Sequence, residues 1–136
     1  MKIDHIGYTV KRLDRAMETF KKLGFQFQPP IDDTDRNVRL AFGENDGYRI
    51  ELVCPLDKSQ NSPVDGYLSK IGPTPYHICY QSENLEKAVE ELRTQGFKVM
   101  IPPREAVAFG GERVVFLMNL HSGLTEIVEK RENAEK

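Results

Sequence analysis

Apolar residues recur at helical spacing in two stretches, Leu13, Ala16, Met17, Phe20 and Leu23, then Leu85, Ala88, Val89 and Leu92. Each set makes one stripe of an amphipathic helix. Gly24 and Gly96 follow as left-handed stops, and Ser82 or Asn84 caps the second helix at its start. Elsewhere the pattern is that of strands. KIDHIGY and TPYHICY precede the two helices, and apolar runs of strand length follow them at 25–28, 38–42 and 48–53, then at 97–101, 113–118 and 124–128. Turns fall at 43–47 and 121–123, and Gly110-Gly111 predicts a mobile hairpin. The class is therefore α+β, with each half written as strand, helix and three strands.

The two halves are copies. KIDHIGYTVKRLDRAMETFKKLGFQF aligns without a gap on TPYHICYQSENLEKAVEELRTQGFKV, because His5/His77, Ile6/Ile78, Tyr8/Tyr80, Leu13/Leu85, Ala16/Ala88, Gly24/Gly96 and Phe25/Phe97 all differ by 72. Pro29-Pro30 answers Pro102-Pro103 with a one-residue slip, and YRIELVC answers GLTEIVE, which sets Glu51 opposite Glu126. The expected organisation is a single domain over 1–136, with module one at 1–54, a connector at 55–73 and module two at 74–130. The connector is rich in Pro, Ser and Asp and holds one short helical turn around Tyr67-Leu68, and the tail KRENAEK is expected to be frayed chain. A βαβββ module covers one sheet face with its helix and leaves the other bare. Two modules resolve this by placing their sheets side by side around a shared cavity.

Composition narrows the functions open to such a domain. At 136 residues the chain is one compact unit able to bury a real core. The formal net charge of −2, with acids and bases interspersed, gives no basic field for nucleic acid or an anionic membrane. The longest apolar run, 114–118, is far short of a bilayer span, and the start MKID is unlike a signal peptide, so a cytoplasmic protein is expected. Cys54 and Cys79 lie inside apolar runs as buried free thiols, with no zinc-binding spacing. There is no P-loop or dinucleotide fingerprint, and Ser59, Ser62 and Ser69 have no histidine at a triad-like spacing.

Strand alternation then locates the chemistry. In the first strand Ile6, Tyr8 and Val10 share the face beneath the helix, while His5, Gly7 and Thr9 share the other. In the repeat, Ile78 and Tyr80 take the helix side and His77 stands with Cys79 and Gln81. Glu51 lies opposite to Tyr48, Ile50 and Leu52, whereas Glu126 shares its side with Leu124 and Val128. A lone strand histidine, or a lone glutamate between apolar residues, is ordinarily structural or solvated. Two of each at matching repeat positions call for a common purpose, and the purpose suited to two imidazoles and two carboxylates is a divalent ion. This N2O2 set fits Co, Ni, Zn, Mn or Fe, and the absence of thiolate argues against a closed structural zinc site.

Paired βαβββ modules with His in each first strand and Glu in each last strand resemble the vicinal oxygen chelate superfamily, which includes glyoxalase I, methylmalonyl-CoA epimerases, extradiol dioxygenases and bleomycin resistance proteins. The resemblance runs from Lys2 to about Glu129, and IELVCPL, SPVDGYLSKIGPTPYHICY and VVFLMNLHSGLTEIVE look most like the epimerases. It implies a glyoxalase-like half-barrel around a metal cavity, ligands at His5, Glu51, His77 and Glu126, and an isomerase that moves a proton beside a metal-bound carbonyl. The epimerase pattern differs at two places: Glu51 stands where many epimerases have Gln, and Asp35 in TDRNV stands where a Glu is usual. Glu126 and Asp35 are then the two bases of an epimerase, while Glu51 and Glu126 share the task in a glyoxalase-type lyase. Asp35 also reads as a plain turn residue. The implied substrate is an acyl-CoA thioester, for which Lys58, Lys70 and Arg104 are available, and the implied assembly is a homodimer. His121 reads as a turn residue with a minor acid or anion-contact role. A dioxygenase and a non-catalytic binding or resistance protein are the remaining alternatives.

Overall fold

The computed structural model describes residues 1–130; the expectation for the tail beyond Lys130 lies outside the described residues. The elements run β1 (Lys2–Thr9), α1 (Leu13–Lys22), β2 (Gln26–Phe27), β3 (Ile31–Asp33), β4 (Val38–Asn45), β5 (Tyr48–Pro55), α2 (Asp65–Lys70), β6 (Thr74–Ser82), α3 (Leu85–Thr94), β7 (Lys98–Glu105), a 3-10 turn (Val107–Phe109), β8 (Arg113–Asn119) and β9 (Gly123–Glu129). Contacts divide the chain into a first unit, His5–Tyr76, and a second unit that joins Met1–Asp4 to the chain from His77 onward. The division departs from the repeat boundary: the connector travels with the first unit, and the first four residues travel with the second.

In the first unit the strand order is β2-β4-β5-β1, with β5 parallel to β1 and antiparallel to β4. β2 and β3 pair with opposite ends of β4, so together they form one interrupted edge strand. The interruption is Pro29-Pro30, since proline has no N–H for a ladder. β3 is an element that the sequence pattern does not announce. β4 also runs further than its apolar residues indicate, and the turn shrinks to Asp46-Gly47, both at positive φ (53° and 81°), the backbone of a two-residue hairpin. Gly43 therefore lies in the strand, where a Cβ would meet the Phe27 ring at 2.5 Å. α1 covers a core of Val10, Leu13, Ala41, Ile50, Leu52 and Cys54, with Tyr8, Met17 and Phe20 packed around it. Leu23 stands outside this stripe, 65% exposed, because the helix has already ended. Burial raises the Cys54 thiol pKa, in keeping with an inert structural thiol.

The second unit repeats the scheme in the order β6-β9-β8-β7, with β9 parallel to β6. Here Pro102-Pro103 does not break the edge strand. β7 continues through it with register shifts, the usual way a proline is tolerated in a ladder. Asn84 caps α3 by accepting the Lys87 N–H at 3.1 Å. The helix packs on Val115, Leu117 and Ile127 of β8 and β9. This corrects the expectation for Ile78 and Tyr80: α3 lies over the last strands of the module, so Ile78 on β6 is left 38% exposed and Tyr80 only partly buried. Glu129 ties the helix to the sheet, accepting the Leu85 N–H at 3.0 Å and two bonds from Arg113 at 2.9 and 3.2 Å. Gly110 and Gly111 take positive φ after the 3-10 turn, and Ala106 closes their loop through backbone bonds with Glu112 and Gly111.

Candidate functional site

Each unit carries one buried histidine beside one buried glutamate. In the first, His5 on β1 reaches Glu51 on β5, with Nε2 3.3 Å from Oε1. In the second, His77 on β6 reaches Glu126 on β9, with the same atoms 3.0 Å apart. All four residues are nearly closed to solvent, with His5 1% and Glu126 4% exposed. The parallel register explains the contact. Glu51 is the partner of Gly7 and Glu126 the partner of Cys79, so a small residue two places after each histidine makes room for the carboxylate.

A third member recurs with each pair. Phe42 lies directly across the ladder from Glu51, and Phe116 directly across from Glu126. Each ring meets its histidine in a T-shaped contact, at centroid distances of 5.4 and 5.5 Å. Phenylalanine offers no hydrogen bond to the imidazole, so it fixes the ring plane and leaves Nε2 to the carboxylate. The signal was available in the sequence, because the two phenylalanines differ by 74, but it lay outside the gapless part of the repeat. The face assignment of Glu126 also resolves. Glu51 shares its face with Arg49 and Val53 as Glu126 does with Leu124 and Val128, while Ile50 and Leu52, and Ile127 in the repeat, turn to the helix side.

Buried carboxylates need a counter-charge or a hydrogen-bond donor, and here each stands beside an imidazole. The donors thus suit an exchange of protons for a divalent ion: neutral imidazole nitrogen and carboxylate oxygen, both buried, with no thiolate in either pair. Cys79 shares the His77 face but packs with Ala106, Val114 and Val128.

The other sequence candidates are placed differently. Asp35 is exposed in the 34–37 turn between β3 and β4. That turn is organised by its neighbours: buried Asp33 accepts from the backbone and guanidinium of Arg36, at 3.1 and 3.3 Å. Asn37, at φ 55°, exchanges hydrogen bonds with the backbone of Asp57 and donates to the Gln60 and Asn61 carbonyls. Lys58, Lys70 and Arg104 are exposed. His121 lies in the exposed β8–β9 turn, its N–H donated to the Asn119 side chain at 2.8 Å. A groove of about 590 Å³ beside α3, lined by Met1, Lys87, Glu91 and Phe97 among others, includes none of the His–Glu pairs. Among the described residues no helix is long and apolar enough to cross a membrane.

Residues 4–116 match the family model of the Glyoxalase/Bleomycin resistance protein/Dioxygenase superfamily. The chain belongs to this superfamily. The matched span contains His5, Asp35, Glu51 and His77, and Glu126 lies beyond its end. A curated superfamily relative is the ethylmalonyl-CoA/methylmalonyl-CoA epimerase of Cereibacter sphaeroides, 29% identical over 119 residues, which are 85% of this chain and 87% of that protein. The solved methylmalonyl-CoA epimerase of Mycobacterium tuberculosis matches with a TM-score of 0.79 and 27% identity, covering 93% of this chain and 86% of its own. A variant of the Streptomyces coelicolor methylmalonyl-CoA epimerase, solved with 2-nitronate-propionyl-CoA, matches with a TM-score of 0.79 and 28% identity over 94% of this chain and 96% of its own. These relatives are isomerases, and the glyoxalase-like α+β fold is common to them and to this chain.

Proposed function

We propose that the protein is an epimerase of the methylmalonyl-CoA type, with His5, Glu51, His77 and Glu126 holding one divalent ion. The observation that carries the reading is the duplicated His–Glu–Phe arrangement, its histidine and glutamate buried in both units of a chain whose matched relatives are methylmalonyl-CoA epimerases. All four side chains are buried and offer donor atoms of the right kind.

A bound ion supplies Lewis acidity to a substrate carbonyl oxygen, which lowers the cost of removing a proton from the neighbouring carbon. The protein's own residues do the rest. Glu126 takes that proton, with the buried site around it keeping water from competing. Inversion needs a second acid on the opposite side of the carbon, and Asp35 is assigned that task by its place in the family pattern. A cytoplasmic homodimer belongs to the same reading, supported by apolar side chains left exposed at Met1, Ile3 and Ile78. The deciding experiment is incubation of metal-loaded protein with methylmalonyl-CoA in deuterated water, following hydrogen exchange at the carbon between the thioester and the carboxylate. Exchange is expected with at least one of Co, Ni, Zn, Mn or Fe, and absence of exchange with all of them would sink the reading.

A further inference from the structure

α3 carries a second stripe beside the one that packs on the sheet. Asn84, Lys87, Ala88, Glu91, Leu92 and Gln95 follow one another at steps of three or four or adjoin, so they share one side of the helix, and all of them line the groove of about 590 Å³. Ala88 and Leu92 belong to both stripes and, with half-buried Phe97, give the groove an apolar floor. Met1, 64% exposed, lines it as well, and Asn84, Lys87, Glu91 and Gln95 are exposed along it. Every one of these residues lies in the unit that joins Met1–Asp4 to the chain from His77 onward. Among the described residues Lys87 and Glu91 form no ion pair, although they stand one turn apart on the same helix. The order of the stripe, amide, cation, acid, amide, is its own complement when reversed.

We propose that this groove docks a second copy of the chain, α3 against the partner subunit's α3, antiparallel about a two-fold axis. Such a pairing sets Lys87 against the partner's Glu91 and, by symmetry, Glu91 against the partner's Lys87. Asn84 and Gln95 have nearly the same midpoint in the sequence as Lys87 and Glu91, so the same axis brings an amide to an amide at both ends. The Asn84 Oδ1 is taken by the Lys87 N–H, which leaves its NH2 to donate to the partner's Gln95. Ala88 lies beside the axis, where a small side chain lets two helices approach closely, and Leu92, Phe97 and Met1 lose exposed apolar surface. The matching stripe of α1 does not have this property. It reads Arg12, Arg15, Ala16, Thr19, Phe20 and Leu23, with two cations and no acid to meet them. The proposal takes the homodimer from the reading above and assigns it a face, and it is independent of the epimerase chemistry. The competing role for Lys87 and Glu91 is that of a solvated helix side, where charges contribute little.

The test is sedimentation of the full chain over a concentration series, comparing wild type with Lys87→Glu, Glu91→Lys and the double exchange Lys87→Glu/Glu91→Lys. Wild type is expected to dimerise. Each single variant sets like charges face to face across the axis and is expected to weaken the dimer by at least about 10-fold. An equimolar mixture of the two single variants is expected to recover it, because one stripe is then wholly acidic and the other wholly basic, and the double exchange is expected to recover it alone. A single variant that merely misfolded would not be rescued by the other. Single variants as dimeric as wild type would overturn the proposal and move the homodimer to another face. Weakening that neither the mixture nor the double exchange reverses would overturn it too. A wild type that stays monomeric at every concentration would overturn both this face and the homodimer. Failure of the epimerase reading is distinguishable, because it is decided by deuterium exchange and not by association.

Discussion

The two His–Glu pairs make a quantitative prediction about what an ion does to stability. An entropy of unfolding of about 2.1 cal/mol/K per residue gives this 136-residue chain about 0.29 kcal/mol/K, so each kcal/mol moves Tm by about 3.5 °C. An ion present at a thousand times its Kd stabilises the folded state by about 4 kcal/mol, a rise of about 14 °C over chelator-stripped protein. His77→Ala should abolish that rise. It should also lower the melting point of the stripped protein, because the imidazole and the Glu126 carboxylate are 1% and 6% exposed and the carboxylate would be left buried without its neighbour. Breaking a buried pair in this way costs about 3–5 kcal/mol, or at least about 10 °C here. Should that variant unfold, Glu126→Gln keeps the shape and removes the buried charge, so its stripped form should melt close to wild type while its ion-induced rise shrinks. Calorimetric scans with each candidate ion provide the measurement. An undiminished rise in both variants would show that neither side chain is a ligand, and no rise in wild type with any ion would refute the site itself.

Two further outcomes can be checked directly. Asp35→Ala should leave deuterium exchange from one face intact while inversion of the carbon, followed on a chiral column, falls at least tenfold; equal loss of both, or of neither, removes Asp35 as the second acid. Burial works against charge on Glu129, yet the Leu85 N–H and then Arg113 outweigh it and hold its pKa below the usual carboxylate value. A lowered folded pKa means that this stabilisation is present above the ordinary value of about 4.3 and is lost as pH falls through the folded one. In urea melts, Glu129→Ala should therefore cost about 1–3 kcal/mol at pH 7 and much less near pH 3, and the same cost at both would show that the charge is irrelevant.

Helix stripes, Gly24 and Gly96, and the strand alternation around His5 and His77 could all be read from the sequence, because each follows from local periodicity and recurs at one offset. The pairing of each histidine with its glutamate was readable for the same reason. β3 was not, since its IDD carries two acids and is held in the sheet by β4 rather than by its own pattern. Ile78 misled because alternation tells which residues share a face and not how far a ten-residue helix reaches across the sheet. Phe42 and Phe116 became part of the site only once cross-strand register put them beside the pairs.

Asp4 has a consequence for the order in which the chain can mature. Its carboxylate takes a hydrogen bond from Gln81 at 2.8 Å and lies 3.4 Å from the Lys130 ammonium, groups that follow it much later in the chain. The start of β1 can therefore complete its contacts only after β6 and the residue that follows β9 have been made. For the same reason, cutting this gene at the midpoint of its duplication would not yield two self-sufficient halves: the front fragment would carry away an end of the strand that the rear fragment uses.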